Sequence, residues 1–200
     1  MEKKIKEYRT SEVRSADDGD KLIVEGYAAV FDSPTLIFES ETTGYKYYEV
    51  VNRGAFDGAD MSDVVMKYNH DDQAMVLART RNKTLQLTVD NHGLKINAEL
   101  ANTSAGRDVY ELIKRGDLDK MSFAFTVAEE TITENVADKT IRREIVKFDK
   151  LFDVAVVDFP AYDDTEISTV EGRGAEQFQK LEEEIREREQ RKKLLLMTYF

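Results

Sequence analysis

Along most of the chain apolar positions recur at every second residue, the period of a half-buried strand. Residues 21–31 (KLIVEGYAAVF) are rich in β-formers and close on the turn signal Asp32-Ser33-Pro34, which predicts a first strand. A second β-rich run, Tyr45 to Val51, leads into Asn52-Arg53-Gly54-Ala55-Phe56-Asp57, a helix or turn kept short by Gly54 and Gly58. Residues 63–69 and 74–80 predict two strands flanking the polar break His70-Asp71-Asp72-Gln73. Leu85, Leu87 and Val89 alternate, as do Leu94, Ile96, Ala98 and Leu100, and the connection Asp90-Asn91-His92-Gly93 makes them a hairpin. In residues 121–127, Met121, Phe123 and Phe125 share one face and Ser122, Ala124 and Thr126 the other. Residues 140–148 and 151–159 supply two more strands, ended by Pro160.

Two stretches depart from this period. Thr103-Ser104 offers an N-cap to a helix that gathers Val109, Leu112 and Ile113 on one face and closes at Lys114-Arg115-Gly116. From Ala175 to about Leu196 there is no Gly or Pro, and Glu182–Arg186, Glu184–Arg188, Glu187–Arg191 and Glu189–Lys193 are i,i+4 pairs in the favourable order. That helix has a sparse apolar face, Phe178, Leu181 and Ile185, then Leu194 to Leu196: a solvated helix, or one adequate for docking on a partner. Many strands with one helix between them predict a mainly β protein with helices (α+β), built as a closed or strongly curved antiparallel β-barrel, plus a C-terminal charged helix. The divisions expected are a flexible N-terminal segment at 1–20, a β domain at 21–170 and a helical tail at 171–200.

Composition narrows the function classes. The 200 residues, 41% hydrophobic and 10% aromatic with two prolines, suffice for one packed domain and a tail. Lys and Arg total 29 against 40 Asp and Glu, a net charge of −11, and the acidic excess lies before Arg173. An acidic body repels phosphate and speaks against a nucleic-acid partner. The absence of Cys excludes a thiol nucleophile, a disulfide framework and a Cys-ligated metal. No secretory signal and no membrane-length apolar run is readable, so a cytoplasmic location is the default expectation.

Three places could carry chemistry. His70 follows an apolar strand, where an imidazole can act as a general base near neutral pH or be a plain loop residue. Ser122, on the small-residue face of its strand, is a nucleophile if a base takes its proton, and otherwise a space-saving residue. Asp153 and Asp158 interrupt an almost continuous apolar strand, and a buried carboxylate there needs a partner such as a histidine N–H, whereas an edge one meets water.

These pieces also occur together and in one order. Glu25-Gly26-Tyr27-Ala28-Ala29-Val30-Phe31 is followed by Glu49 to Asn52 with Gly54-Ala55-Phe56, by Asn69-His70-Asp71, and by Asn91-His92-Gly93-Leu94. Residues 115–125 (RGDLDKMSFAF) and Phe152-Asp153-Val154 to Phe159-Pro160-Ala161-Tyr162 complete the series. Over roughly residues 20–168 the chain resembles the tailed-phage prohead (capsid maturation) serine protease family.

The resemblance implies a β-barrel similar to the herpesvirus assembly protease and a serine endopeptidase that needs no metal or organic cofactor. Carried over by motif, Ser122 is the nucleophile and His70 the base. Asp153 is the acid that orients the base, with Asp158 in reserve, because relatives often have Glu-Val-Ser where this chain has Asp153-Val154-Ala155. His92, the other histidine, reads as a turn residue. The implied substrates are the scaffold or the scaffolding segment of the major capsid protein, and the protease itself. The implied place is the bacterial host cytoplasm, inside the prohead, with no nucleic-acid or membrane partner and a homo-oligomer left open. Two alternatives compete: a non-enzymatic scaffold or capsid-assembly protein, and a metal-dependent hydrolase built on His70, Asp71, Asp72 and His92. The second owns too few histidines for a usual metal site.

Overall fold

The computed structural model describes residues 7–18, 21–158 and 173–198. Its strands are β1 (Glu7–Asp18), β2 (Lys21–Val30), β3 (Thr35–Glu39), β4 (Lys46–Val51), β5 (Val65–Tyr68), β6 (Ala78–Arg79), β7 (Leu85–Val89), β8 (Gly93–Glu99), β9 (Lys120–Asn135) and β10 (Thr140–Val157). Helix α1 (Ser104–Arg115) lies between β8 and β9, and α2 (Arg173–Thr198) follows the sheet. The β1 strand falls within the 1–20 segment expected to be flexible; it pairs with both β2 and β9. Residues 140–148 and 151–157 are one 18-residue strand rather than two, while Phe159 and Pro160 lie outside the described residues.

The expectation of a closed or strongly curved antiparallel barrel is overturned. All ten strands join one mixed sheet, neither closed nor strongly curled, in the order β3-β4-β10-β9-β1-β2-β8-β7, with β5 and β6 attached beside β10. Closure requires the two ends of a sheet to meet, and here the pairing path ends at β3 and β7. The physical reason lies in β10, which is long enough to take two partners in succession on one side. Its residues 140–145 run parallel to β4 and its residues 153–156 parallel to β5. Period-two patterning specifies which side chains point inward, but it is blind to strand direction and to which edges pair.

Other elements form as their sequences predict. In α1 the Thr103 side chain accepts a hydrogen bond from the Gly106 N–H, and Gly116 closes the helix at φ 81° with its N–H on the Ile113 and Leu112 carbonyls. The β7–β8 hairpin is antiparallel, from Leu85 opposite Ala98 to Val89 opposite Leu94. Gly93 is obligatory, since a Cβ there would stand 1.9 Å from the Ala29 carbonyl oxygen of β2.

The main core gathers Met121, Phe123 and Phe125 of β9 with Phe148, Val154 and Val156 of β10, Met66 of β5, and inward residues of β2 and β8. The β9–β10 ladder is irregular between Ile145 and Asp153, with bulges that shift its register. Arg143 of β10 is fully buried and donates to Glu49 of β4 at 2.8 Å and to Glu130 of β9 at 2.8 Å from Nε. A second cluster packs Phe178 and Ile185 of α2 against Ile37, Phe38, Tyr45, Tyr47 and Ile141. Of the four i,i+4 pairs read along α2, the structure makes Glu187–Arg191, at 3.2 Å. Glu182 turns inward instead, accepting from the Ser40 and Tyr47 hydroxyls at 2.5 and 2.7 Å. Arg188 reaches Glu134 of β9 through both terminal nitrogens.

Candidate active site

Strand pairing decides which of the candidate side chains share a surface. Ser122 of β9 stands opposite Ala155 of β10, and Ala124 stands opposite Asp153. Directly paired residues point to the same side, as do residues two apart in a strand. Ser122 and Asp153 therefore occupy one face as diagonal neighbours, with Ala124 and Ala155 as the small residues between them. Strand β5 extends that face, because Asp153 is paired with Val65 and Ala155 with Lys67. The opposite face carries Phe123, Val154 and Met66 into the main core.

His70 arrives from the end of β5. The Asn69 N–H donates to the Val156 carbonyl at 2.8 Å, and Asn69 and His70 then adopt φ 51° and 54°, the left-handed conformation that reverses the chain. This reversal brings the imidazole onto Asp153, with Nδ1 in a short contact to Oδ1. The Asp153 side chain is 2% exposed and that of His70 16%; Ser122 as a whole is 3% exposed. Next to an ionised carboxylate Nδ1 carries the hydrogen and donates it, so Nε2 presents its lone pair. That is the tautomer a general base requires.

The remaining candidates go elsewhere. Asp158 is exposed, its N–H donates to Asn69 Oδ1 at 3.1 Å, and its carboxylate accepts from the Tyr68 hydroxyl. That bond, together with partial burial, raises the pKa of Tyr68 above the ordinary phenol value. His92 lies in the β7–β8 turn, its ring edge-on to Tyr27 at 4.5 Å. Asp71 accepts from the Gln73 N–H at 2.7 Å, and Asp72 is paired with Lys67. Among the described residues no group of three or more His, Asp or Glu is arranged to hold a metal ion.

The sequence reading passed over Lys67. Its signal was a lone cation in an otherwise apolar strand, three residues before the histidine. A cavity of about 600 Å³ opens among β1, β2, β4 and β9, with Tyr27, Glu49, His92 and Phe123 in its wall. Phe123 brings it one residue from Ser122 in sequence, but on the other face of β9.

Comparison with known proteins finds no match among curated proteins or solved structures. A family model described as caudovirus prohead serine protease matches residues 9–191. The matched span includes the Ser122 strand, the His70 turn, Asp153 and most of α2, and with that coverage the chain belongs to the caudovirus prohead serine protease family.

Proposed function

We propose that this chain is an endopeptidase of prohead maturation in which Ser122 is the nucleophile, His70 the general base and Asp153 the residue that orients the base and stabilises its protonated form. The observation that carries the reading is the contact between His70 Nδ1 and Asp153 on the face that also bears Ser122. In the acylation step Nε2 of His70 takes the Ser122 proton as Oγ attacks a peptide carbonyl carbon. The tetrahedral oxyanion collapses, the C–N bond breaks, and the imidazolium returns the proton to the leaving amine. Water then enters, gives its proton to Nε2 and its oxygen to the acyl carbon, and Ser122 is released with its proton restored. The Asp153 carboxylate stays ionised throughout and stabilises the imidazolium formed in each half-reaction.

The substrates are capsid-related: the scaffold or the scaffolding segment of the major capsid protein, and the protease itself. The place of action is the prohead in the infected host. The test is mass spectrometry of wild type and Ser122→Ala after incubation at high concentration, alone and with the cognate capsid protein. Wild type is expected to trim itself or the capsid protein while Ser122→Ala leaves both intact. If both chains leave every substrate uncut inside assembled capsids, the protease reading fails and a non-enzymatic assembly role replaces it.

A further inference from the structure

Two successive non-glycine residues in the left-handed region, Asn69 and His70, are sustained only where their surroundings fix them. Three bonds around the turn involve main-chain N–H donors. Asn69 N–H donates to the Val156 carbonyl at 2.8 Å, Asp158 N–H to Asn69 Oδ1 at 3.1 Å, and Asp71 N–H to the Tyr68 carbonyl at 3.1 Å. A further contact closes the turn from outside, the ion pair from Lys67 Nζ to Asp72 Oδ1. Its two members lie three residues before and two residues after His70, so the whole reversal is enclosed between them.

Lys67 is not an ordinary surface lysine. Its side chain is 12% exposed, against 85% for Asp72, and its strand position belongs to the cross-strand row Lys67–Ala155–Ser122. An exposed ion pair contributes little because water competes and two long side chains must be ordered. Here the cation is already packed against the sheet, and the carboxylate belongs to the same short turn, so closing the pair orders little else.

We propose that Lys67 is a positioning residue for His70: its ion pair with Asp72 clamps the turn and keeps the imidazole on Asp153. The catalytic consequence rests on the reading of His70 as the base; the clamp itself does not.

The test separates the two. In full-length chain carrying Ser122→Ala, which cannot process itself under the protease reading, the imidazole N–H protons are followed by NMR. There are two histidines, and His92→Gln identifies which signals belong to His70. The Nδ1–H held by Asp153 is expected as a low-field resonance protected from exchange with water. Lys67→Met, which keeps the aliphatic stem, and Asp72→Asn, at an exposed position, should each speed its exchange by about tenfold or broaden it away, while Lys67→Arg preserves it. With Ser122 restored, Lys67→Met should lower kcat by about tenfold with KM within about twofold, and Lys67→Arg should recover it. A resonance unchanged in both Lys67→Met and Asp72→Asn overturns the proposal, as does its loss in Lys67→Arg. If Lys67→Met does not fold, Asp72→Asn alone decides by the same criterion. Absence of cleavage by the chain with Ser122 would defeat the protease reading and leave the NMR result standing on its own.

Discussion

Asp153 and Asp158 are five residues apart in one apolar run of the sequence, and the sequence supports either as the partner of His70. Their surroundings separate them: Asp153 is buried against the imidazole, whereas Asp158 is exposed and shared by Tyr68 and the Asn69 turn. Asp153→Asn keeps the side-chain volume but offers an amide that can donate toward Nδ1, favouring the tautomer whose Nε2 carries the hydrogen. Cleavage should then fall by about a thousandfold or more while the melting temperature shows that the fold survives. Asp158→Asn should leave the cleavage rate within about twofold, and a comparable loss in both variants would transfer the role. Alternation in residues 121–127 made the Ser122 face legible, because large apolar residues at odd positions leave the small ones together. The placement of His70 was not legible, since two left-handed residues in sequence carry no pattern beyond a polar break.

At the level of elements, α2 shows how the same residues support two different readings. Its charges fit i,i+4 spacing, which suits a helix in water, but Glu182 and Arg188 are committed to the sheet. The sparse apolar face, Phe178 and Ile185, is sufficient because the surface beneath supplies aromatic partners, Tyr47 and Phe38 among them. Phe178 is fully buried, so Phe178→Ala should cost about 3 kcal/mol of docking free energy. The expected signature is faster hydrogen exchange along α2 with sheet amides unaffected. The docking should also depend on pH. The Arg188 guanidinium, and more weakly the Tyr45 hydroxyl, hold Glu134 below the ordinary glutamate value of 4.5. A carboxylate depressed in the folded state stabilises it above its unfolded pKa, and that contribution disappears as pH falls through the folded value. The difference in thermal stability between wild type and Glu134→Gln should thus be largest near about pH 6 and narrow progressively below about pH 4.5. A difference that stays constant down to about pH 3 would show that Glu134 is not held by its charge.

For the molecule as a whole, the hairpin, α1 and the inward faces could be read from local pattern, and the sheet order could not. A short strand such as β5 looks alike whether its neighbour is parallel or antiparallel, and β10 was divided in two because Asp149 and Lys150 interrupt its apolar run. That interruption coincides with the bulges. Between Ile145 and Asp153 the strand advances eight residues while β9, from Glu130 to Ala124, advances six. Across this interval the inward positions advance by three residues at a time, Ile145, Phe148, Leu151 and Val154, so they pass from odd numbers at Ile141, Arg143 and Ile145 to even numbers at Val154 and Val156. Asp153 owes its place beside His70 to that change: with unbroken parity it would share the side of Arg143 and Ile145. The spacing between Ile145 and Asp153 therefore carries information of its own, apart from the identity of the residues that fill it. Substitutions at exposed Lys147 should be absorbed, whereas removal of that one residue would turn the carboxylate toward Phe123 and send Val154 to the polar side.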